Sequence, residues 1–507
     1  MDMAVSRRSC DIVSSDSGLE RWVRTIVGCS PAERRAPAAC QESATMLDEL
    51  DPLSRAAPPS ARKPSPRARG YPVVGLLPAL ARDAPSLLRQ LARQYPGELI
   101  ELDLGLTRAY LATHPEQVQY VLHDNWRNFG KEGGMWKPIG RLLGNGLVTA
   151  GGDEWLRNRR RMQPLFSSRQ LAGLVDRMFD VVEGDLPRLE ERARAGAVVD
   201  MDKEMMQLTQ RVILATMFGV SITPREADSL GEVLLVAIQA LNARMFLYFM
   251  PDRLLPGERA LRDAIARIDE AILRLVRERR RSKEERDDLL SLLLRARDES
   301  GSGMDDRQLR DELVTMFIAG NETTAITMTW LFYLLDRNPG IERKLRAEIE
   351  EVVGDRRPTA ADLSRMEYTK MVIQEAMRMY PPSWLVPRTV KEDDQICGYP
   401  VPAGATVILS QYVMHHDPAF WEAPAEFDPE RFTPERSASR PRYSYMPFGG
   451  GPRQCIGNLF SIMEAQIVIA VLLRRLRMRL VPGHPVSPQA VATLRPRHGL
   501  KMTLHAV

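Results

Sequence analysis

The chain has 507 residues, 44% of them hydrophobic, with 70 Lys and Arg against 66 Asp and Glu and a formal net charge of +4. That balance gives no global electrostatic case for nucleic acid as a partner, and no apolar run approaches the roughly 18 residues needed to cross a bilayer, so no transmembrane anchor is expected. Five cysteines, three of them before position 41, form no paired disulfide framework and fit a reducing, cytoplasmic compartment.

Residues 1–68 are rich in Arg, Ser, Ala and Pro, lack sustained periodicity and end in an Ala-Pro-Pro-Ser-Ala-Arg-Lys-Pro-Ser-Pro-Arg run, a composition that predicts a disordered leader. The in-frame Met46 is a candidate alternative start. Glu98 to Leu104 and Ala109 to Ala112 read as a β-hairpin. Gly151-Gly152-Asp153 precedes Trp155-Leu-Arg-Asn-Arg159, where Asp153 is placed to cap a new helix. From Ser167 to Ala296 apolar residues at three and four spacing predict amphipathic helices, with the mixed Arg and Glu run at Arg277 to Arg286 as solvated helix surface.

A long helical pattern runs from about Asp305 to Asp336 and contains Ala319-Gly320-Asn321-Glu322-Thr323-Thr324. Glycine and threonines weaken a helix by about 1 kcal/mol, and threonine can bond back to a carbonyl one turn earlier. A local opening of the helix would account for them; threonines bonded to their own backbone are the plainer reading. Tyr368 to Met379 is helical and carries Glu375 and Arg378 at i, i+3 spacing, where the two can pair; Pro381-Pro382 stops it. Gln395 to Ile408, broken by Gly398, Pro400, Pro402 and Gly404, reads as a short hairpin. His415-His416, followed by Asp417-Pro418, suggests metal by adjacency; a structural role for both is the preferred reading.

The most informative segment is Phe448-Gly-Gly-Gly-Pro-Arg-Gln-Cys-Ile-Gly457. It places Cys455 in a glycine-rich loop before a helix from Asn458 to about Leu476, with Gly457 expected to let that helix pack closely. Loop amides and the helix N-terminus predict a thiol of lowered pKa. Read locally, such a thiolate could serve haem, an iron-sulfur cluster or covalent catalysis.

The spacing Phe448, Gly451, Arg453, Cys455, Gly457 resembles the haem-binding signature of the cytochrome P-450 superfamily. The segments around Trp155 and Arg159, Ala319 to Thr324, and Glu375 to Arg378 resemble its other motifs, in the family's order. The resemblance implies a mainly α fold with a small β portion, one catalytic domain over 69–507, and haem b held between the long central helix and the Cys-bearing loop, with Cys455 as axial thiolate. It further implies Trp155, Arg159, Arg388 and Arg453 as partners of the haem propionates, and Glu375, Arg378 and Arg431, the last in Asp428-Pro-Glu-Arg-Phe432, as a structural network. Glu322 and Thr323 are implied as the acid and hydroxyl that deliver protons during oxygen activation.

By the same resemblance the chain is a monooxygenase that hydroxylates or epoxidises an apolar molecule of terpenoid, fatty-acid, steroid or polyketide type with O2 and two electrons from NAD(P)H. The expected donors are an external ferredoxin and ferredoxin reductase, docking near the Cys455 loop and the Arg157 to Arg161 face. Family position suggests a pocket lined by Trp136, Leu147, Val148, Phe246, Met316, Ala319, Trp384, Leu385, Val386 and Thr493; Met245, Phe246, Tyr248, Phe249 and Met250 fit core packing equally well. The alternatives are a peroxide-driven peroxygenase of the same fold and a non-catalytic haem-binding sensor. Retention of Glu322-Thr323 argues against the first, and its retention together with that of the arginines argues against the second.

Overall fold

The computed structural model describes residues 63–507 except 106, most of 220–256, and 283–285, 287, 299 and 300. Helices dominate. The helices that matter for the site are α1 (Leu77–Gln94), α2 (Gly152–Met162), α3 (Val175–Arg194), α4 (Met201–Phe218), α5 (Glu258–Arg281), α6 (Asp306–Arg337), α7 (Glu367–Met379) and α8 (Asn458–Arg475).

Helix α6 is the axis of the molecule. Asp305 caps it by accepting the Gln308 N–H at 2.7 Å, and nearly every side from Leu309 to Leu335 is buried, as expected of a helix apolar all round. It packs along α4, α5, α7 and α8. The expected opening at Gly320 is not there: the helix is continuous, and the glycine instead suits the close approach of α4. A Cβ at Gly320 would stand 3.1 Å from Ile213 Cδ1, and Thr209 of α4 donates to Asn321 Oδ1 at 2.7 Å.

The main sheet has six strands in the order β1 (Arg67–Ala68), β2 (Ile100–Asp103), β3 (Arg108–Ala112), β9 (Thr406–Leu409), β6 (Val386–Val390) and β4 (Phe129–Gly130). Strands β2 and β3 form the expected hairpin, with Ile100 opposite Leu111. Residues 63–68, placed in the leader by composition, belong to the folded body: β1 pairs with β2, and the Lys63 N–H reaches the Gly398 carbonyl at 2.9 Å. Residues 1–62 lie outside the described part.

The hairpin read over 395–408 is shorter than expected. Strands β7 (Asp394–Ile396) and β8 (Tyr399–Val401) pair through a turn at Cys397 and Gly398, both with positive φ, whereas β9 is taken by the main sheet between β3 and β6. A three-stranded sheet of β10 (Leu476–Leu480), β13 (Lys501–Ala506) and β5 (Val198–Asp200), and a hairpin of β11 (Pro488–Ala490) and β12 (Leu494–Pro496), complete the β portion. Within the charge run, Arg279 is not solvated: it is buried, pairs with Asp288 at 2.6 Å and donates to the Phe218 carbonyl. No described helix is long and apolar enough to cross a membrane.

Candidate active site

The Cys455 loop is shaped by what surrounds it. Gly451 has φ +62°, and a Cβ there would fall 1.8 Å from the Leu122 carbonyl oxygen, so backbone passes against backbone. Gly450 is extended, and its Cβ would meet the Tyr443 ring at 2.3 Å. Gly457, expected to permit close helix packing, does not serve that end: its Cβ would meet only Phe166, at 4.0 Å. It stands at the N-cap of α8 and its N–H reaches the Cys455 sulfur. Phe448 packs against the main core and its carbonyl accepts the Cys455 N–H at 2.9 Å.

The expected low thiol pKa is not found. Burial pushes the Cys455 thiol up, outweighing the Gly457 amide and the positive charges of Arg159 and Lys131, which act the other way. Even so, Cys455 keeps accessible surface although its sulfur lies among protein groups. Ala319 is likewise exposed, in the middle of the otherwise buried α6. The Thr324 and Ser461 hydroxyls, 3.1 Å apart, join α6 to α8. Beside that joint Glu464 is fully enclosed, and burial pushes its carboxyl well above the usual range.

Helix α2 docks on the loop. It begins after Gly151, which stands at the N-cap; Asp153, expected there, lies in the first turn without a capping bond. Arg159 donates to the Gln454 carbonyl at 2.8 Å, and the Arg453 guanidinium covers the Trp155 ring at 4.3 Å while donating to the Ala150 carbonyl at 3.0 Å. Arg388 is 5% exposed and, among the described residues, donates only to the carbonyl of Pro387. A fourth cation, Lys131, joins them, donating to the Val148 carbonyl at 2.8 Å and lying 4.9 Å above the Trp136 ring. Nothing in the sequence marked Lys131; a lysine in a glycine-rich turn has no periodicity to betray it.

Burial lowers the basicity of all four, with Arg388 held down to about 9 and Arg453 to about 10. None forms an ion pair with a carboxylate among the described residues. Buried cations without an anion are costly, so this group fits a ligand carrying two carboxylates, and Cys455 close by supplies a soft sulfur donor.

On the other side, Glu322 and Thr323 are adjacent but not bonded to each other. Thr323 donates to the Ala319 carbonyl at 2.6 Å, the plainer of the two readings for a helical threonine. Glu322 Oε1 accepts from the Thr493 hydroxyl at 2.8 Å. Thr493, expected as pocket lining, thus reaches the acid from the turn between β11 and β12, and Arg495 and Asp202 flank it electrostatically.

The network around Glu375 is complete. Its two oxygens accept from Arg378 Nε and Nη2 at 2.8 and 2.9 Å, and one also accepts from Arg431 Nε at 3.2 Å and from the Asp428 N–H at 3.0 Å. Arg378 and Glu375 are wholly buried. The remaining guanidinium N–H groups donate to the carbonyls of His415, Pro424, Glu426, Glu422 and Ala423.

The other expected pocket residues are divided. Leu147, Val148 and Met316 share the main core, whereas Trp384 and Leu385 pack in a second cluster and Val386 against a third. Trp136 lines a cleft of about 380 Å³ with Arg108 and Thr389. Phe246 and its neighbouring aromatic and Met residues lie outside the described residues. His415 Nε2 accepts the Met446 N–H at 3.0 Å, and His416, kept from protonating by burial and Arg378, bonds the Tyr412 carbonyl. Among the described residues no cluster of His, Cys, Asp and Glu could hold a metal ion. On the α2 face Arg161 pairs with Asp298, and Arg157 and Arg160 are exposed.

A family model described as Cytochrome P450 matches residues 64–503. The chain is 37% identical to cyclooctatin synthase of Streptomyces melanosporofaciens, over 84% of this chain and 92% of that protein. It is 36% identical to cyclooctat-9-en-7-ol 5-monooxygenase of the same organism, over 86% and 94%, and 34% identical to pentalenene oxygenase of Streptomyces avermitilis, over 81% and 90%. The crystal structure of the cytochrome P450DA heme domain superposes with a TM-score of 0.80 at 28% identity, covering 88% of this chain and 99% of that one.

Proposed function

The chain belongs to the cytochrome P450 family and is a monooxygenase, and from that premise we propose that it oxidises a cyclic terpenoid, with haem b ligated by Cys455. The observation that carries the haem reading is a group of four cations, Arg159 and Arg388 buried and Lys131 and Arg453 partly so, none of them in an ion pair with a carboxylate among the described residues. Lys131, Arg159, Arg388 and Arg453 would hold the two propionates, and Cys455 the iron. Bound there, haem supplies the binding and reductive cleavage of dioxygen and the insertion of one oxygen atom into the substrate.

The chain's own part is to hold, orient and move protons. Thr323 spends its hydroxyl hydrogen on the Ala319 carbonyl, so its oxygen keeps lone pairs with which to accept a bond from an incoming water. Glu322 is the adjacent acid in the chain, and the Thr493 hydroxyl fixes its orientation. The Glu375 network holds α7 against the Asp428–Phe432 turn and so braces the loop side of the molecule. Exposed Arg157 and Arg160 suit an acidic electron carrier such as a ferredoxin served by its reductase.

The terpenoid reading rests on the names of the relatives. It is tested by titrating purified ferric protein with cyclic sesquiterpene and diterpene hydrocarbons and alcohols, with fatty acids and steroids as comparison. A shift of the haem band that saturates at micromolar terpenoid is expected. Saturating shifts with fatty acids or steroids and none with terpenoids would overturn the substrate class.

A further inference from the structure

The segment Gly144–Ala150 is tied at both ends by charged groups. At its far end Val148 accepts from Lys131 and Ala150 from Arg453. At its near end two successive carboxylates of α6 take the backbone: Asp311 Oδ2 accepts the Asn145 N–H and Glu312 Oε2 the Leu147 N–H, both at 2.8 Å. The fit is close. A Cβ on Gly144 would stand 2.2 Å from the Asp311 carboxyl, and one on Gly146 2.1 Å from Thr315 Oγ1.

The two carboxylates differ in their surroundings. Asp311 lies 2.9 Å from Arg310, which also holds Asp269. Glu312 is fully buried and touches no cation among the described residues. Its neighbours are the Leu147 N–H from the segment, Gln308 Nε2 at 2.8 Å and Asp311 from its own helix, and Glu154 from α2, which holds Asn145 Nδ2. Met316, Ala319 and Thr323 follow Glu312 at i+4, i+7 and i+11, on the same stripe of α6. The bond to Leu147 therefore sets how Leu147 and Val148 stand toward the helix face that carries Ala319.

We propose that Glu312 is a positioning residue that holds the Gly144–Val148 segment as one wall of the substrate space, closed while its carboxyl is neutral and loosened when it ionises. Calling the space that of the substrate rests on the functional reading above; the latch itself does not. Burial pushes the Glu312 carboxyl up from 4.5 to about 7, with the Leu147 and Gln308 bonds opposing in part. An opened segment hydrates the carboxyl and returns it to its ordinary value. Raised pKa in the closed form means that protons favour closure. The opening constant then rises up to tenfold per pH unit from about 4.5 to about 7, roughly 300-fold in all, and is flat above.

The test is amide hydrogen exchange on the haem-loaded full chain without substrate, corrected for the pH dependence of chemical exchange. Protection at Asn145 and Leu147 should fall at least tenfold from pH 5 to pH 7.5, while that of α6 holds, and Glu312→Gln should abolish the change. Unchanged protection at these amides, or an equal fall in Glu312→Gln, overturns the proposal. Should that variant not fold, the wild-type titration decides alone, since a fall spread evenly over the chain also overturns it. Terpenoid affinity that weakens over the same pH range in the wild type only would tie the latch to the pocket; a latch that titrates while no terpenoid binds sinks the substrate reading and leaves the latch standing.

Discussion

At the scale of single residues, Glu375 shows how burial changes the worth of an ion pair. Its carboxylate lies between Arg378 and Arg431, both almost wholly buried. Glu375→Ala would leave two enclosed guanidinium groups, with backbone carbonyls to satisfy their hydrogens but only Asp428, 4.0 Å from Arg431, as an anion, and is expected to cost about 3–5 kcal/mol in urea unfolding. Glu430, half exposed and paired with Lys344, gives the comparison: Glu430→Ala should cost no more than about 1 kcal/mol. Equal losses would show that the Glu375 network contributes no more than a surface pair. The Glu375–Arg378 pair could be read from spacing alone, because i, i+3 places both heads on one helix face. The Glu322–Thr493 bond could not, since 171 residues separate its members and only the packing of the β11–β12 turn on α6 brings them together.

Among the elements, the long helices were legible and the loops between them were not. The periodic pattern read from about Asp305 to Asp336 matches α6 to within a residue at each end. Gly320 misled because its demand comes from another helix: propensity sees a weak spot, while Ile213 of α4 is the cause. Strand β9 misled in the same way, since its partners β3 and β6 are remote. The Cys455 loop separates local from tertiary demands. Gly449 and Gly451 both have positive φ, but a Cβ at Gly449 meets nothing within 4 Å, whereas one at Gly451 collides with the Leu122 carbonyl. Gly449→Ala should cost only the backbone strain, about 1–2 kcal/mol. Gly451→Ala has to displace the Tyr120–Asp124 turn as well and should lose at least about 2 kcal/mol more, read from thermal unfolding of the two variants side by side. Similar melting temperatures would mean that the contact with Leu122 is not tight.

For the whole molecule, the α-rich fold followed from pattern, but the edge of the folded body did not. Composition put the boundary at residue 68, because Pro, Ser and Arg dominate up to that point, and two residues of strand give no period to detect. The structure draws the chain into the sheet earlier. Glu101 N–H donates to the Pro66 carbonyl and Lys63 N–H to the Gly398 carbonyl, both at 2.9 Å, and Arg67 reaches Asp103 at 2.7 Å and Glu101 at 3.4 Å. Ala68 is buried in the second core cluster with Leu88 and Leu102. A chain begun at residue 69 would lose these bonds and expose the edge of β2 and part of that cluster; one begun at residue 63 would keep them. With net values of about 0.5–1.5 kcal/mol per hydrogen bond and little from the exposed Arg67 pairs, the shorter chain should be less stable by about 1–3 kcal/mol in urea unfolding. Its exchange protection should be lost at β2 and retained in α6. If the two chains unfold at the same urea concentration, β1 adds nothing to the sheet, and the boundary read from composition is the one that matters for folding.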